Sequence, residues 1–486
     1  MSRVSVQETF AAAMEVLGPY EPEPQIAVAV SGGSDSLALL LLLRDWVSAR
    51  GGHLTALSVD HGLRPESVEE CRQVGAIVAK LNRMPGGDTA SGVSLIEHRT
   101  LVWQGDKPAT GLMAAAREAR YRLLCDWCRA HDILHLALAH HADDLAETVL
   151  MRAHHGSGPA GLAGMAAIRP LAGIRLLRPL LAVRKQDLIA CLKAAGLDWT
   201  EDPSNRAARF ERVRWRAHLS GRTDIAAMLQ DAAQAGRHRD RLERCAGRWL
   251  GEHARIDPLG YLRLPAGALS AVEPELLTQI LRQGLVAIGG GGYPPDPAAL
   301  QSLAARLQDG RLDVTGPART LAGCLVVGRG DELRIYREAT GAIAVLPSGA
   351  EHAMIWDGRF AIRLHSSGPR TEVPGRGDES KDGKGRPLPL MAPPLMIAPI
   401  GKHGFDGMPV PPRLKSAPQQ ARASLPALWR GEKLIVSGSV RTGGTVSACP
   451  AEEVQSPFYT LEVSFLPSQP ATSCGFTVVL PPGHTM

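Results

Sequence analysis

Residues 26–43 read IAVAVSGGSDSLALLLLL, and this stretch decides the fold of the chain. Residues 26–30 are apolar and include β-branched side chains, as in a buried parallel strand. Residues 31–36, SGGSDS, are small and polar, and their two glycines can adopt positive φ angles. Residues 37–43 form an apolar run of good helix formers. The stretch therefore predicts a strand, a tight turn and a helix whose first backbone N–H groups are free.

The predicted turn has the chemistry of a phosphate-binding loop. Free N–H groups and the positive end of a helix dipole attract phosphate oxygens, and Ser31, Ser34 and Ser36 add hydroxyl donors. Asp35 would repel a phosphate unless Mg²⁺ bridged the two groups. The absence of lysine after the glycines excludes a Walker A loop. An ordinary strand-to-helix turn with a serine cap is the alternative interpretation.

Length and composition indicate a globular protein. The chain has 486 residues, which is enough for two or three domains. Its longest apolar run, residues 37–43, is too short to span a bilayer, and residues 1–20 lack the apolar core of a secretory signal. The cysteines are scattered, as is typical of reduced thiols. We therefore expect a cytoplasmic protein without a membrane partner.

Strands and helices alternate in the first part of the chain, up to about residue 155. Residues 53–62 and 133–140 have the pattern of buried strands, whereas Glu66–Leu81 and Leu112–Ala130 have helical spacing. This alternation predicts an α/β fold with a doubly wound parallel sheet. A helical region and a β-rich C-terminal part are expected to follow.

Three domains are predicted from these changes in pattern. Residues 1–220 would form the catalytic domain, residues 221–337 a mostly helical substrate-binding region, and residues 338–486 a β-rich C-terminal region. Residues 369–394 are rich in Gly, Pro, Lys and Asp, which predicts a mobile loop.

A local excess of positive charge lies in residues 169–246. This segment has 16 Lys/Arg against 9 Asp/Glu, in a chain whose formal net charge is +5. Residues 209–216, RFERVRWR, contain four arginines and one acid. Arginine side chains suit the phosphate backbone of a nucleic acid, although a solvated helical face is the alternative.

Four polar motifs are expected to meet at one edge of the sheet, because ligands of open α/β sheets bind at the carboxyl ends of the strands. They are SGGSDS, VDHGLR, AAAREARYR and AHHADDLAETVL. Asp35 and Asp144 are the candidate Mg²⁺ ligands, although Asp144 and its neighbour Asp143 could simply complement a helix dipole. The candidate cations and proton-transfer groups are Arg117, Arg120, His140, His141 and Asp143.

Taken together, these motifs resemble the tRNA(Ile)-lysidine synthetase family of PP-loop (N-type) ATP pyrophosphatases. In the family's order they are SGGSDS, VDHGLR, TGLMAAAREARYRLL, AHHADDLAETVLMR, GSGPAGLAGM, RPLL and EDPSN…RFER, over about residues 25–216. The resemblance implies an adenine nucleotide alpha hydrolase-like sheet, with ATP and Mg²⁺ as cofactors. The residues that it implies for ATP are Ser31, Gly32, Gly33, Ser34, Asp35, Ser36, Asp60 and His61.

The resemblance also implies a reaction. ATP would adenylate the carbon-2 oxygen of the wobble cytidine in the tRNA(Ile) with a CAU anticodon, and free L-lysine would displace AMP to give lysidine. Asp35 and Asp144 would serve the metal and the reacting groups, and Arg120 would stabilise the activated intermediate, with Arg117 and His140 as further catalytic candidates. Residues 169–246 would lie against the tRNA. Oligomeric state is left open, with a homodimer as one option.

The sequence departs from the family at two positions and leaves two rival functions open. His155 stands where the family commonly has Arg, and Val213 replaces its usual Asn, which puts local tRNA or lysine contacts in doubt. A tRNA thiolase would need a nucleophilic cysteine, for which Cys125 and Cys128 are the candidates. Their helical pattern favours packing instead. The second rival is a non-catalytic module that binds ATP.

Overall fold

The computed structural model divides into two compact units, the first up to Arg241 and the second from Leu242. The residues that the structure describes are 5–64, 66–84, 96–105, 107–108, 110–171, 173–200, 225–257, 259–289, 295–309, 319–339, 343–346, 351–357, 359–366, 395–401, 417–430, 433–437, 439–441 and 459–465. The EDPSN motif, the arginine-rich residues 209–216 and the predicted loop at 369–394 lie outside them. No helix in these ranges is long and apolar enough to cross a membrane.

The first unit alternates strands with helices, as predicted. Its elements are α1 (Val6–Val16), β1 (Gln25–Ala29), α2 (Ser34–Ser48), β2 (His53–Asp60), α3 (Glu66–Leu81), β3 (Glu97–Val102), α4 (Leu112–Ala130), β4 (His135–Ala137), α5 (Ala142–His154), α6 (Pro159–Leu162), β5 (Ile168–Leu171), β6 (Ile174–Leu177) and α7 (Lys185–Ala194).

The strands of the first unit form one six-stranded sheet in the order β3-β2-β1-β4-β6-β5. All neighbours pair in parallel except β5, which runs antiparallel to β6 at the edge. This confirms the predicted doubly wound parallel sheet. The chain proceeds outward from β1 in both directions, so the order reverses between β1 and β4. Such a reversal opens a crevice at the carboxyl ends of the strands, where ligands bind.

The leucine run of α2 explains why this helix is central. Leu37 and Leu40 are fully buried, and every residue of the run is part of the main hydrophobic core. A helix that is apolar all round must be covered on every side. Here α2 contacts the sheet through β1 and β2 and is covered by α1 and α7. Burial of α2 therefore holds the SGGSDS turn against the sheet.

The second unit combines helices with antiparallel sheets. Its elements, from the helix that contains the boundary onward, are α8 (Ile225–His253), β7 (Arg255–Asp257), β8 (Tyr261–Pro265), α9 (Ala266–Ser270), α10 (Pro274–Ile288), α11 (Pro297–Gln308), β9 (Arg319–Leu321), β10 (Cys324–Arg329), β11 (Glu332–Arg337), β12 (Ala344–Val345), β13 (Glu351–Trp356), β14 (Phe360–Ser366), β15 (Leu395–Pro399), α12 (Gln419–Ala423), β16 (Pro426–Arg430), β17 (Lys433–Ser437), β18 (Ser439–Arg441) and β19 (Tyr459–Phe465).

Strands β7 and β8 were not expected in a segment that reads as largely helical. They join β11, β10 and β9 in a five-stranded antiparallel sheet. Leu262 and Leu264 on β8 are buried in a core that includes Leu281 and Ile335. Pairing with β11, some 70 residues away, determines this strand, and no local pattern shows it.

A buried ion cluster lies in the second unit. Arg359 is fully buried, and Asp357 accepts hydrogen bonds from both Arg359 and Arg337. The Arg359 guanidinium also donates to the Ser424 carbonyl, at 3.2 Å. The cluster thus joins the β13–β14 turn to β11 and to the segment after α12.

Candidate active site

A cavity of about 500 Å³ opens at the carboxyl ends of β1, β2 and β4. It lies where the strand order reverses, as expected for a ligand site in this fold. Eight of the residues predicted from the sequence line it: Ser31, Gly33, Asp35, Ser36, His61, Arg117, Arg120 and His140. The tertiary structure therefore brings residues of SGGSDS, VDHGLR and AAAREARYR around one space, together with His140 of AHHADDLAETVL.

The SGGSDS turn is shaped by hydrogen bonds of its own. Gly32 has φ +81°, a left-handed conformation that favours glycine. The Ser36 hydroxyl donates to the Gly33 carbonyl at 3.0 Å and accepts from the Ser31 backbone N–H at 3.2 Å. The Ser34 hydroxyl donates to Asp35. The loop is therefore preformed, with α2 beginning at Ser34.

Asp35 is the most strongly perturbed carboxylate of the site. Its Oδ2 lies 3.2 Å from Lys185 Nζ and 3.5 Å from His141 Nε2. Burial alone would raise the pKa of Asp35, but His141 and Lys185 outweigh burial and hold the pKa at about 2. Asp35 is therefore ionised at neutral pH, within the SGGSDS turn.

His141 connects Asp35 to Asp144. The imidazole is 2% exposed, and its Nε2 lies 3.5 Å from an oxygen of each carboxylate. Burial would lower the pKa of His141, yet the surrounding carboxylates raise it above the ordinary value. Asp144 also accepts the His141 backbone N–H at 3.1 Å, which caps α5. Asp144 is not part of the cavity wall, but its carboxylate faces the same imidazole as Asp35.

Asp143 positions α7, because its carboxylate accepts hydrogen bonds from the start of that helix. It accepts the Lys185 backbone N–H at 2.8 Å and the Arg184 guanidinium at 2.8 Å. Burial would raise the pKa of Asp143, but Arg184 and the Lys185 N–H lower it. Asp143 thereby holds the start of α7 where the Lys185 side chain reaches Asp35.

Asp60 and His61 differ in their relation to the cavity. Asp60 accepts the Ser67 hydroxyl and, at 2.9 Å, the Gly62 N–H. Its carboxylate therefore holds the loop between β2 and α3 and is not part of the cavity wall. His61 does line the cavity, and within the described part of the chain its buried Nδ1 has no hydrogen-bond partner.

The two predicted arginines lie at the rim of the cavity on α4. Both Arg117 and Arg120 are exposed. The Arg117 guanidinium lies 5.2 Å from the centre of the Tyr121 ring and donates to its hydroxyl at 3.4 Å. Both cations are therefore available to an anion in the cavity.

The site also includes residues that were not predicted from the sequence, among them three that carry a charge or a thiol. Lys185 pairs with Asp35, Arg178 donates to His140, and Cys71 lines the cavity. Lys185 has one local signal, its position in the first turn of a helix. A cation is unfavourable beside the positive end of the helix dipole, so a lysine there suggests a contact with an anionic side chain. Arg178 begins the RPLL motif, to which no role was assigned from the sequence, and no local signal distinguishes Cys71.

The two cysteines considered as thiolase nucleophiles are packed in the interior. Cys125 and Cys128 are 2% and 0% exposed and form part of a core with Leu124 and Leu136. Burial raises the pKa of Cys128 to about 12 and also raises the pKa of Cys125. Burial likewise raises the pKa of Cys71 at the cavity wall. All three thiols are thus protonated at neutral pH.

Comparisons with known proteins identify the family of the chain. A family model described as a PP-loop domain matches residues 4–222. A tRNA(Ile)-lysidine synthase of Ruegeria pomeroyi is 34% identical over 425 residues, which cover 86% of this chain and 89% of that protein. The chain belongs to the tRNA(Ile)-lysidine synthase family. It is therefore an enzyme with a PP-loop domain that uses ATP.

Two further similarities were found. A tRNA(Ile)-lysidine synthase of Bradyrhizobium diazoefficiens is 38% identical over 350 residues, covering 66% of this chain and 92% of that protein. Among solved structures, the U34-tRNA thiolase NcsA of Methanococcus maripaludis has a TM-score of 0.37 at 14% identity, covering 47% of this chain and 78% of that one. This structural likeness is too low to indicate a shared function.

When Lys185 is replaced by Met, the free energy of unfolding is expected to change less with pH in the acid range. Lys185 helps to hold the pKa of Asp35 at about 2, below the ordinary value of roughly 3.9. That stabilisation is fully present above about pH 4 and is lost as the pH falls through about 2. The free energy of unfolding should therefore differ most between K185M and the parent protein at pH 5 to 6, and converge toward pH 2.

Urea titrations between pH 2.5 and 6 measure this difference. Lys193→Met, on the exposed side of the same helix, is the matched control and should follow the parent curve. A constant offset between K185M and the parent at every pH would show that Lys185 does not act on Asp35.

Proposed function

We propose that this chain is a carbon–nitrogen ligase that joins free L-lysine to the wobble cytidine of a tRNA(Ile) with a CAU anticodon. ATP activates the cytidine, and the products are lysidine, AMP and pyrophosphate. The observation that carries the proposal is the site around Asp35, an ionised carboxylate at a preformed phosphate loop beside a cavity with a cationic rim. The names of the relatives supply the tRNA(Ile) and the product.

ATP is assigned to the SGGSDS turn. The free N–H groups at the start of α2 and the hydroxyl of Ser31 would bind its phosphates, while Gly32 and Ser34 shape the loop. His61 is assigned to the nucleoside part, because its buried Nδ1 has no partner in the described ranges. Asp60 supports this contact indirectly by holding the Gly62 N–H.

Mg²⁺ is assigned to Asp35 and Asp144. Among the described residues, no group of three or more His, Cys, Asp or Glu is arranged to hold a metal ion. Magnesium in ATP sites is nevertheless bound by one or two carboxylates and completed by phosphate oxygens and water. Two carboxylates that face one imidazole at 3.5 Å suit this pattern. When bound, the ion would neutralise charge on the phosphates.

The chemistry has two steps. The carbon-2 oxygen of cytidine attacks the α-phosphorus of ATP, and the bond to pyrophosphate breaks. The amine of lysine then attacks carbon 2 and loses a proton, while the carbon–oxygen bond breaks and AMP leaves. Arg117 and Arg120 at the rim are assigned to the negative charge on the phosphates and on the adenylated intermediate, since preorganised cations stabilise developing charge.

The basic segment, residues 169–246, is assigned to the tRNA. Residues 169–246 carry the excess of positive charge and would contact its phosphate backbone. We assign catalysis to residues 1–220 and substrate binding to residues 221–337. His155 and Val213 mark where these contacts would differ from those of other members.

A labelling experiment tests the proposed function. Purified protein is incubated with ATP, radiolabelled L-lysine and transcripts of tRNA(Ile) or elongator tRNA(Met), which share the CAU anticodon. Label is expected in tRNA(Ile) alone, with one AMP and one pyrophosphate formed per lysine. Label in neither transcript, with no AMP formed, would contradict the proposal and would favour a non-catalytic module that binds ATP.

A tRNA thiolase is the second candidate, and a cysteine double variant distinguishes it. Cys125→Ser with Cys128→Ser is expected to retain lysine transfer within about twofold, because both thiols are buried and protonated. Lysidine formation and thiolated nucleosides are measured by mass spectrometry of digested tRNA. A second variant, Cys71→Ser, covers the cysteine that lines the cavity. Thiolation that disappears in any of these variants would overturn the ligase assignment.

A further inference from the structure

The segment after α7, residues 195–200, contacts the SGGSDS turn. It is fastened to α3 by two hydrogen bonds. Lys80 Nζ donates to the Gly196 carbonyl at 2.7 Å, and the Thr200 hydroxyl donates to Gln73 Oε1 at 3.1 Å. Thr200 is also part of the cavity wall. The backbone of Thr200 is therefore held in place beside the turn.

The Thr200 backbone binds one peptide group of the turn. Its N–H donates to the Gly32 carbonyl at 3.0 Å. Gly32 is buried, and a buried carbonyl needs a hydrogen-bond partner. Thr200 supplies that partner and so fixes the direction in which the Gly32 carbonyl points.

The direction of the Gly32 carbonyl also determines where the Gly33 N–H points. A trans peptide group is planar, and its C=O and N–H point in opposite directions. The cis peptide bond that the described ranges contain is Gly18–Pro19, so the bond between Gly32 and Gly33 is trans. Because the carbonyl points at Thr200, the Gly33 N–H points away from Thr200. Gly33 itself lines the cavity.

We propose that Thr200 is a positioning residue that orients the peptide group between Gly32 and Gly33, so that the Gly33 N–H donates to a phosphate oxygen of ATP. This inference rests on the proposed function, because the anion is the phosphate that is assigned to the SGGSDS turn. Consecutive N–H groups around a residue with positive φ form a concave anion site. The Gly33 N–H thus joins the free N–H groups at the start of α2, and a residue from beyond α7 controls its direction.

The two glycines explain why this peptide group needs an external contact. Reversal of the peptide group changes ψ of Gly32 and φ of Gly33, and glycine adopts either sign of φ at little cost. Gly33 has φ −77°, and reversal would move it to positive φ, which a residue with a Cβ would resist. The reversed group would present the Gly32 carbonyl to the phosphates, whose charge it repels. The Thr200 N–H therefore selects one of two orientations that the glycines allow.

An amide-to-ester substitution tests the Thr200 N–H directly. Lactic acid, incorporated at position 200 of the full chain by nonsense suppression, has an oxygen in place of the N–H. Thr200→Ala is the matched control, because it has the same side chain as the ester protein and keeps the N–H. Relative to Thr200→Ala, the ester protein should have a kcat/KM for ATP that is lower by about 10²-fold, since one preorganised donor accounts for about that factor in rate.

The other kinetic constants distinguish orientation of the donor from a general loss of structure. KM for L-lysine should change less than about threefold between the ester protein and Thr200→Ala, because the contact concerns ATP alone. Gln73→Ala removes the side-chain contact of Thr200 and keeps the N–H, so its kcat/KM for ATP should stay within about threefold of the parent value. Equal kcat/KM for ATP in the ester protein and in Thr200→Ala would overturn the inference.

A spectroscopic readout separates this inference from the proposed function. With glycine labelled by ¹³C at the carbonyl and by ¹⁵N, an HNCO spectrum of the full chain shows only those glycines that follow another glycine, and Gly33→Ala identifies the Gly33 signal. On addition of ATP and Mg²⁺, the Gly33 amide proton should move downfield in the parent protein and in Thr200→Ala, but not in the ester protein.

The outcomes of this titration differ for the two proposals. An unchanged Gly33 signal in the parent protein, or a shift of equal size in the ester protein, would overturn the inference even if lysine is transferred. A downfield shift that requires the Thr200 N–H, without any lysine transfer, would leave the inference standing and contradict the proposed function alone.

Discussion

Asp35→Asn is expected to lower the rate of AMP formation by about 10³-fold while the protein remains folded. The amide cannot carry the negative charge that His141 and Lys185 now surround at 3.5 and 3.2 Å. It would also be a much weaker Mg²⁺ ligand than a carboxylate. The same substitution at Asp144 should have a similar effect, because both carboxylates face His141.

Asp45→Asn is the matched control for this experiment. Asp45 lies on the same helix, its side chain is 51% exposed, and it pairs with Arg44 at the surface. Activity and melting temperature of D45N should therefore equal those of the parent protein. Circular dichroism and the tRNA labelling assay measure the two properties. Retained activity in D35N or D144N would remove that carboxylate from the mechanism.

The stability of the second unit is expected to fall by about 3–5 kcal/mol when Asp357 is replaced by Ala. Asp357 accepts hydrogen bonds from Arg359 at 2.8 Å and from Arg337 at 2.9 Å. Burial already lowers the pKa of Arg359 to about 10 in spite of this carboxylate. Removal of the carboxylate would leave the fully buried guanidinium without a counter-charge. Urea unfolding followed by tryptophan fluorescence measures the loss.

Two further variants show whether charge is the cause of this loss. Asp357 has φ +51°, a conformation that Asn tolerates better than Ala. Asp357→Asn should therefore be less damaging than Asp357→Ala. Addition of Arg359→Met to Asp357→Ala should recover part of the stability, because the unpaired buried charge is removed with it.

Asp331→Ala serves as the control for the ion cluster. This aspartate is exposed in the turn before β11, and its loss should change the free energy of unfolding by less than about 0.5 kcal/mol. If the double variant were no more stable than Asp357→Ala alone, packing and backbone conformation would explain the effect, and the buried charge would not.

Much of the first unit could be predicted because its signals are local. The bounds of α3 and α4, Glu66–Leu81 and Leu112–Ala130, agree with the sequence pattern. The small strand β8 was missed, since its pairing with β11 depends on a partner distant in sequence. Long amphipathic or apolar periods can be recognised from one segment alone, whereas short antiparallel strands become stable only through their neighbours.

The candidate site, too, could be predicted where its signals are local and not where it depends on contacts between distant segments. Asp35, His61 and His140 each follow a strand, so the rule that strand ends share an edge places them together. Lys185 lies 150 residues from Asp35, and Arg178 lies 38 residues from His140. Neither pair has a spacing that a helix or a strand would bring into contact. Asp143 positions α7 through a hydrogen bond from the Lys185 backbone N–H, which is likewise a contact between distant segments.

The sequence by itself determined the conformation of the SGGSDS turn, because residues 26–43 contain the strand, the glycines and the helix that form it. It also determined the alternation that yields a parallel sheet and the identity of the charged residues at the strand ends. Only the tertiary structure decided how those charges are used. The pKa of Asp35 depends on burial and on cations from other elements, and these exist only after the chain has folded.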